Sequence, residues 1–322
     1  MAEVAGTTKR PIEVGLFLIA ADIPYGGCVP SWQDLVAVAT RADVLGFDSL
    51  WLADHLLADF GWESEPRISV RECWSLISAL AAVTQRIQLG PLVSCTAYRN
   101  PAMLAATADT VQEISKGRLF LGLGAGWHKP EFQSFGFPYD HRASRFEEAV
   151  QIISGLLGGE RVTFEGKFYQ ARDCELRPRG QQPPKPPIVI GAKGPRMLEL
   201  TARYADGWDS DFIRNPADYT QVREKLVQVD AACHSVGRDP ATLHRSVTIQ
   251  VNMPGHSRPE DHPFAAGRAS SPPASGTPEE LAELLLAYAA EGVSRVQVSL
   301  DPSTVEAVEA LAPVLDILDE SA

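Results

Sequence analysis

Apolar residues along this chain fall into short unbroken runs, separated by longer segments in which they recur every three or four positions. These are the patterns of buried strands and of helices with one apolar face. They predict strands at 12–20, 47–53, 87–94 and 118–124, with helices at 32–45, 71–83 and 101–114 between them. A long loop then runs to His141, where a helix over 142–157 begins and ends at Gly158-Gly159. Residues 162–176 read as a hairpin turning at Gly166, and the prolines of 178–187 as a stiff connector, so 158–187 is an insertion. Alternation resumes with strands at 188–190, 207–209, 246–251 and 295–299 and helices at 195–204, 218–236, 278–290 and 303–318.

The result is eight strands, most of them followed by a helix, with short apolar runs that lack strict alternation. Parallel strands covered by helices on their outer side account for such runs. A (β/α)8 barrel is the favoured α/β fold, and an open doubly wound sheet is the alternative that the strand count disfavours. At 322 residues the chain suits one barrel domain over 1–322. The interval 254–277, with Gly255, His256, Asp261, His262 and Pro263, is expected to be a mobile loop acting as a substrate cover or a surface excursion.

Composition narrows the function classes. A net charge of −12 disfavours a nonspecific nucleic-acid surface. The five cysteines, Cys28, Cys73, Cys95, Cys174 and Cys233, form no CxxC pair, so neither a disulfide framework nor a thiolate metal site is indicated. No stretch is long and apolar enough to read as a secretory signal or a membrane span, which makes a cytoplasmic protein the expectation.

Candidate chemistry gathers where strands end, the position of active sites in parallel barrels. Asp54-His55 closes the run 47–53, and His55 suits proton transfer or orientation of an aromatic cofactor, with Asp54 selecting its tautomer or capping the next segment. A structural hydrogen-bonded pair at the rim is the bland alternative. Gly122-Leu123-Gly124-Ala125-Gly126 either lets the backbone approach a ligand or is a plain glycine turn, and Trp127-His128 beside it favours a site. The turn Gly191-Ala192-Lys193-Gly194 leads into a helix at Pro195 and offers amides, a cation and a helix N-terminus to a phosphate. Arg99, before Asn100-Pro101, either organises a polar cofactor tail or anchors its loop, and Arg196 is free to pair with a surface carboxylate. Trp51, Trp127 and Trp208 either border an aromatic ligand or fill the core. His128 and His141 form no recognisable metal cluster with His55, and Asp22, Glu131 and Asp209 are assigned to separate loops, so no metal site is expected.

Four motifs in order, 48–55, 96–101, 117–128 and 190–194, give the chain a strong resemblance to the bacterial luciferase-like flavin and deazaflavin oxidoreductases. The resemblance implies a luciferase-like TIM barrel with insertions at its C-terminal face and a homodimer through the helices at 71–83 and 101–114. It places His55 near the cofactor ring and Leu92 and Val93 at a bulge behind it, where relatives use a cis peptide bond. Gly126 and the 191–194 turn then face the phosphate-bearing tail. Residues 124–132 and 205–208 resemble the deazaflavin branch, so coenzyme F420 is expected rather than FMN. Trp127 stands where sugar-phosphate dehydrogenases of this family carry glutamate, so that substrate is not implied. The implied activity is hydride transfer to or from a small organic substrate. An FMN-dependent monooxygenase with a separate flavin reductase, or a non-enzymatic flavin-binding protein, are the alternatives.

Overall fold

A computed structural model describes residues 10–18, 20, 30–58, 68–177, 184–253, 273–300 and 303–321. In chain order the elements are β1 (Glu13–Leu18), α1 (Trp32–Leu45), β2 (Ser49–Leu52), β3 (Leu57–Ala58), β4 (Ile68–Ser69), α2 (Cys73–Val83), β5 (Gln88–Pro91), β6 (Ser94–Cys95), α3 (Pro101–Ile114) and β7 (Leu121–Gly124). They continue with α4 (Lys129–Phe135), α5 (Arg142–Leu157), β8 (Val162–Glu165), β9 (Gln170–Cys174), β10 (Ile188–Gly191), α6 (Pro195–Tyr204), β11 (Gly207–Phe212) and α7 (Gln221–Ser235). The last are β12 (His244–Val251), α8 (Pro278–Ala290), β13 (Arg295–Leu300) and α9 (Val305–Glu320).

Local signals set the helix boundaries. Ser31 and Asp34 form a capping box ahead of α1, which stops at Gly46 in the left-handed region, and Thr277 and Glu280 do the same ahead of α8. Asn100 caps α3, and Pro101 and Pro195 occupy first turns, where a missing N–H costs nothing.

The main sheet is parallel throughout, in the order β5-β2-β1-β13-β12-β11-β10-β7-β6. Strands β5 and β6 are two pieces of one barrel strand, separated by a cis peptide bond between Leu92 and Val93. Leu89 of β5 donates its N–H to the Arg118 carbonyl and accepts from the Phe120 N–H, each at 3.1 Å, which closes the ring of eight and rules out the open sheet.

One feature of the strands differs from the sequence expectation. Strands β12 and β13 do alternate: Val247, Ile249, Val251, Val296, Val298 and Leu300 join the helix-covered core, while Ser246, Thr248 and Gln297 meet each other and Asp209 on the opposite, inner face. Alternation appears because this half of the barrel interior is polar. Across from it, Trp51 and Phe120 stack at 3.8 Å between ring centroids and pack with Phe17, Leu92 and Val189. Arg295, held by Glu13 and Gln88, lies 5.5 and 5.6 Å from the centroids of these two rings.

The expected hairpin is present as antiparallel β8 and β9. Its turn is tied to α5, because Glu148 accepts the N–H groups of Lys167, Phe168 and Tyr169. Two elements were not anticipated, the two-stranded β3–β4 ladder and α4 within the expected loop before His141. Asp22, Cys28, residues 178–183 and residues 254–272, with Gly255, His256, Asp261, His262 and Pro263, lie outside the described residues. Of the expected mobile loop, Ala274 is pinned by a parallel bridge to Val251.

Candidate active site

The C-terminal end of β2 delivers Asp54 and His55 to one end of the barrel, and β7 delivers Gly124 to His128 beside them. Between the two, the break after Pro91 carries Leu92 and Val93. Val93 points across the barrel into space left by two glycines, for a Cβ on Gly124 or Gly191 would lie 2.6 or 3.0 Å from Val93 Cγ2. Leu92 packs on the Trp51 and Phe120 pair below. This gives the mouth an apolar floor. Gly126 follows at φ +74°, where its missing Cβ also avoids Cys95 Sγ at 2.5 Å.

The tautomer partner of His55 is not Asp54. Asp54 is fully buried and accepts two hydrogen bonds from Arg99, at 2.6 and 2.9 Å, and one from the Cys95 N–H at 3.1 Å. Arg99 also donates to Glu72 at 2.5 Å. Of the two readings of Arg99, anchoring the loop is the one these bonds describe, and Asp54 serves the same anchor.

Glu131 is the residue that meets His55. Its carboxylate lies 3.0 and 3.1 Å from His55 Nδ1 and accepts the N–H groups of Leu56 and Leu57 at 2.6 and 2.9 Å. The Tyr98 hydroxyl donates to it at 2.8 Å, and His128 Nδ1 lies at 3.4 Å. Burial alone would raise the pKa of this carboxyl, but the hydrogen bond and charge of His55 and the two amides outweigh it and hold the group down from the usual 4.5 to about 2. Burial, with Cys95 and Glu131 beside it, raises the Tyr98 phenol, which stays a donor.

The folded value of Glu131 lies below the unfolded one, so its stabilisation is complete above 4.5 and is lost as pH falls toward about 2. Urea midpoints measured across that window are expected to fall less steeply in Glu131→Gln than in the wild type.

Sequence reasoning placed Glu131 on a separate loop and found no cluster with His55. The structure corrects this, for donor atoms of His55, His128 and Glu131 all lie within 4.8 Å of one another. The available signal was the His128-x-x-Glu131 spacing, which α4 converts into neighbours on one helical face. Their donor set could hold a cation, yet the Glu131 oxygens already accept two amide hydrogens and a phenol hydrogen.

Trp127 stands at the rim, 59% exposed, with its ring edge-on to His55 at 5.7 Å. Trp51 and Trp208 are core residues. Farther round the mouth, Gly191 ends β10 and Gly194 opens α6 without a side-chain cap. Lys193, expected to face a phosphate, is paired with Asp211 at 2.7 Å, and Arg196 is paired with Glu147 at 2.6 Å. Arg142, which the sequence did not single out, donates to the Gly126 carbonyl at 2.7 Å and brings a cation to the glycine loop. Asp209 belongs to the barrel interior, where burial pushes its carboxyl up to about 6 against the pull of Ser246, the Asp211 amide and Gln297.

A closed parallel barrel with this polar mouth defines an α/β-barrel protein with a candidate site above its strand ends. Residues 12–261 match the luciferase-like monooxygenase family, and the chain belongs to that family. It is 34% identical over 253 residues to a phthiodiolone/phenolphthiodiolone dimycocerosates ketoreductase of Mycobacterium sp. (strain JLS), covering 71% of this chain and 65% of the relative. It is 33% identical over 219 residues to an F420-dependent hydroxymycolic acid dehydrogenase of Mycobacterium tuberculosis, covering 67% and 58%. The chain thus spans less than two thirds of the length of these relatives. In fold it resembles an F420-dependent secondary alcohol dehydrogenase, with a TM-score of 0.77 at 17% identity, over 95% of this chain and 99% of the other.

Proposed function

We propose that this protein is a coenzyme F420-dependent oxidoreductase that interconverts a carbonyl group and a secondary alcohol on a small organic substrate. The carrying observation is the placement of His55, whose Nδ1 is held by Glu131 while the ring remains a quarter exposed at the barrel mouth. The names of the relatives, a ketoreductase and an F420-dependent dehydrogenase, support the same chemistry.

The residues suit the cofactor. Leu92 and Val93 offer a flat apolar floor for its ring, while Gly126, Ala192, Gly194 and the N-terminus of α6 suit its phosphate-bearing tail. Lys193 uses one of its three ammonium hydrogens on Asp211, which leaves two for a phosphate. When bound, the reduced deazaflavin supplies a hydride, and the oxidised form accepts one. Carbonyl reduction needs a proton on oxygen as well, and the doubly protonated ring of His55 gives it from Nε2 and is left neutral; in the oxidative direction the bare Nε2 of the neutral ring takes the hydroxyl proton. Trp127 limits water at the rim and presents an aromatic face to the substrate.

The same reading includes a homodimer through α2 and α3, which expose Val83, Met103 and Ile114. It also includes a reductase elsewhere in the cell that regenerates the cofactor. A cytoplasmic setting fits the four described cysteines, all unpaired. No described helix is long and apolar enough to cross a membrane.

Parallel titration of cofactor-free protein with F420 and FMN, followed by absorbance and fluorescence, tests the assignment. Selective F420 binding, with deuterium passing from C5-labelled reduced cofactor to the carbinol carbon of a ketone substrate, is expected. Selective FMN binding with incorporation of labelled oxygen would instead make the protein a monooxygenase.

A further inference from the structure

We infer that Glu131 is a positioning residue that fixes a proton on His55 Nδ1 and so leaves Nε2 as the nitrogen that exchanges a proton with the substrate oxygen. This rests on the proton role proposed for His55 and goes beyond it by naming what sets the tautomer.

The geometry carries the inference in three steps. First, an ionised carboxylate only accepts hydrogen bonds, so an imidazole nitrogen 3.0 Å from it bears hydrogen whether the ring is neutral or charged. Second, the carboxylate cannot swing away. Its Oε1 is held by the N–H groups of Leu56 and Leu57, the two residues that follow His55, and its Oε2 by the Tyr98 hydroxyl. The histidine and its partner therefore share one rigid frame. Third, Nε2 lies on the far side of the ring, and no hydrogen bond to it is found among the described residues.

The charged and titratable groups around His55 are consistent with a single partner. Asp54, its chain neighbour, is committed to Arg99 and the Cys95 amide. Tyr98 is turned to Glu131. His128 approaches the same carboxylate at 3.4 Å, with its ring centroid 6.2 Å from that of His55. Trp127 contributes only a ring edge.

The test reads the proton directly. Long-range proton–nitrogen spectra of cofactor-free protein with labelled histidine, with His55 assigned by comparison with His55→Gln, are expected to show Nδ1 protonated and Nε2 bare in the neutral ring. Glu131→Gln preserves the size of the side chain but faces Nδ1 with an amide that also donates. In that variant the neutral ring is expected to shift toward the Nε2–H form, and kcat to fall about a hundredfold while F420 affinity changes less than about threefold.

A wild-type ring carrying its proton on Nε2 overturns the inference with no variant required. A fall in kcat with an unchanged tautomer in Glu131→Gln also overturns it, because Glu131 then only anchors the loop at Leu56 and Leu57. A divalent ion that survives chelator dialysis and leaves Nδ1 of both His55 and His128 unprotonated overturns it in favour of a metal centre. Full turnover by His55→Ala would instead overturn the proton role in the proposed function, while the nitrogen spectrum would still report whether Glu131 holds the ring.

Discussion

Replacing His55 by alanine is expected to lower kcat for carbonyl reduction by roughly 10²–10⁴-fold, the usual contribution of a positioned acid or base, while F420 affinity changes little. The substitution removes Nε2, a ring nitrogen for which no hydrogen bond is found among the described residues. The apolar floor of Leu92 and Val93 and the glycines at 124, 126 and 191 are untouched, so the proposed cofactor site survives. Glu131 keeps the two amides and the Tyr98 hydroxyl, which limits the structural damage. Stopped-flow absorbance of the deazaflavin would separate the chemical step from binding. Hydride transfer at the wild-type rate in His55→Ala would refute the role.

Asp54→Ala should act on stability rather than chemistry, with a loss of about 3 kcal/mol, as expected when one member of a buried ion pair is removed. The Asp54 side chain is completely buried and that of Arg99 is 20% exposed. Alanine leaves the guanidinium with Glu72 alone and strips the Cys95 amide of its acceptor. Asp54→Asn retains an oxygen for that amide and should lose less. Urea unfolding followed by tryptophan fluorescence measures both variants. Unchanged stability with collapsed turnover would return Asp54 to the chemistry.

These two neighbours show where sequence reading works and where it stops. Adjacent residues at a strand end were legible as a candidate site, because a parallel barrel brings strand ends together whatever their sequence distance. Their division of labour was not legible. Asp54 finds Arg99, 45 residues away, and His55 finds Glu131, 76 residues away. Such pairings depend on how strands that come near one another only in the closed ring deliver their loops, and no local pattern encodes them. Glu131 was hidden further because α4 is only seven residues long and lies in a segment that reads as loop. The pairing of Lys193 with Asp211 escaped notice for a related reason, since Asp211 sits at φ +69°, beside a register shift late in β11.

By itself, the sequence determined the alternation of strands and helices, the barrel architecture and the end of the barrel where the candidate site gathers. These follow from periodicity, turn residues and connection rules, which act over a few residues or on the order of elements. Tertiary structure alone decided that Glu131 partners His55, that Asp54 and Arg99 anchor a loop, and that the barrel interior divides into an aromatic half and a polar half. Each of these depends on the register and tilt with which distant strands close into a ring, because that closure sets which side chains come within hydrogen-bonding distance.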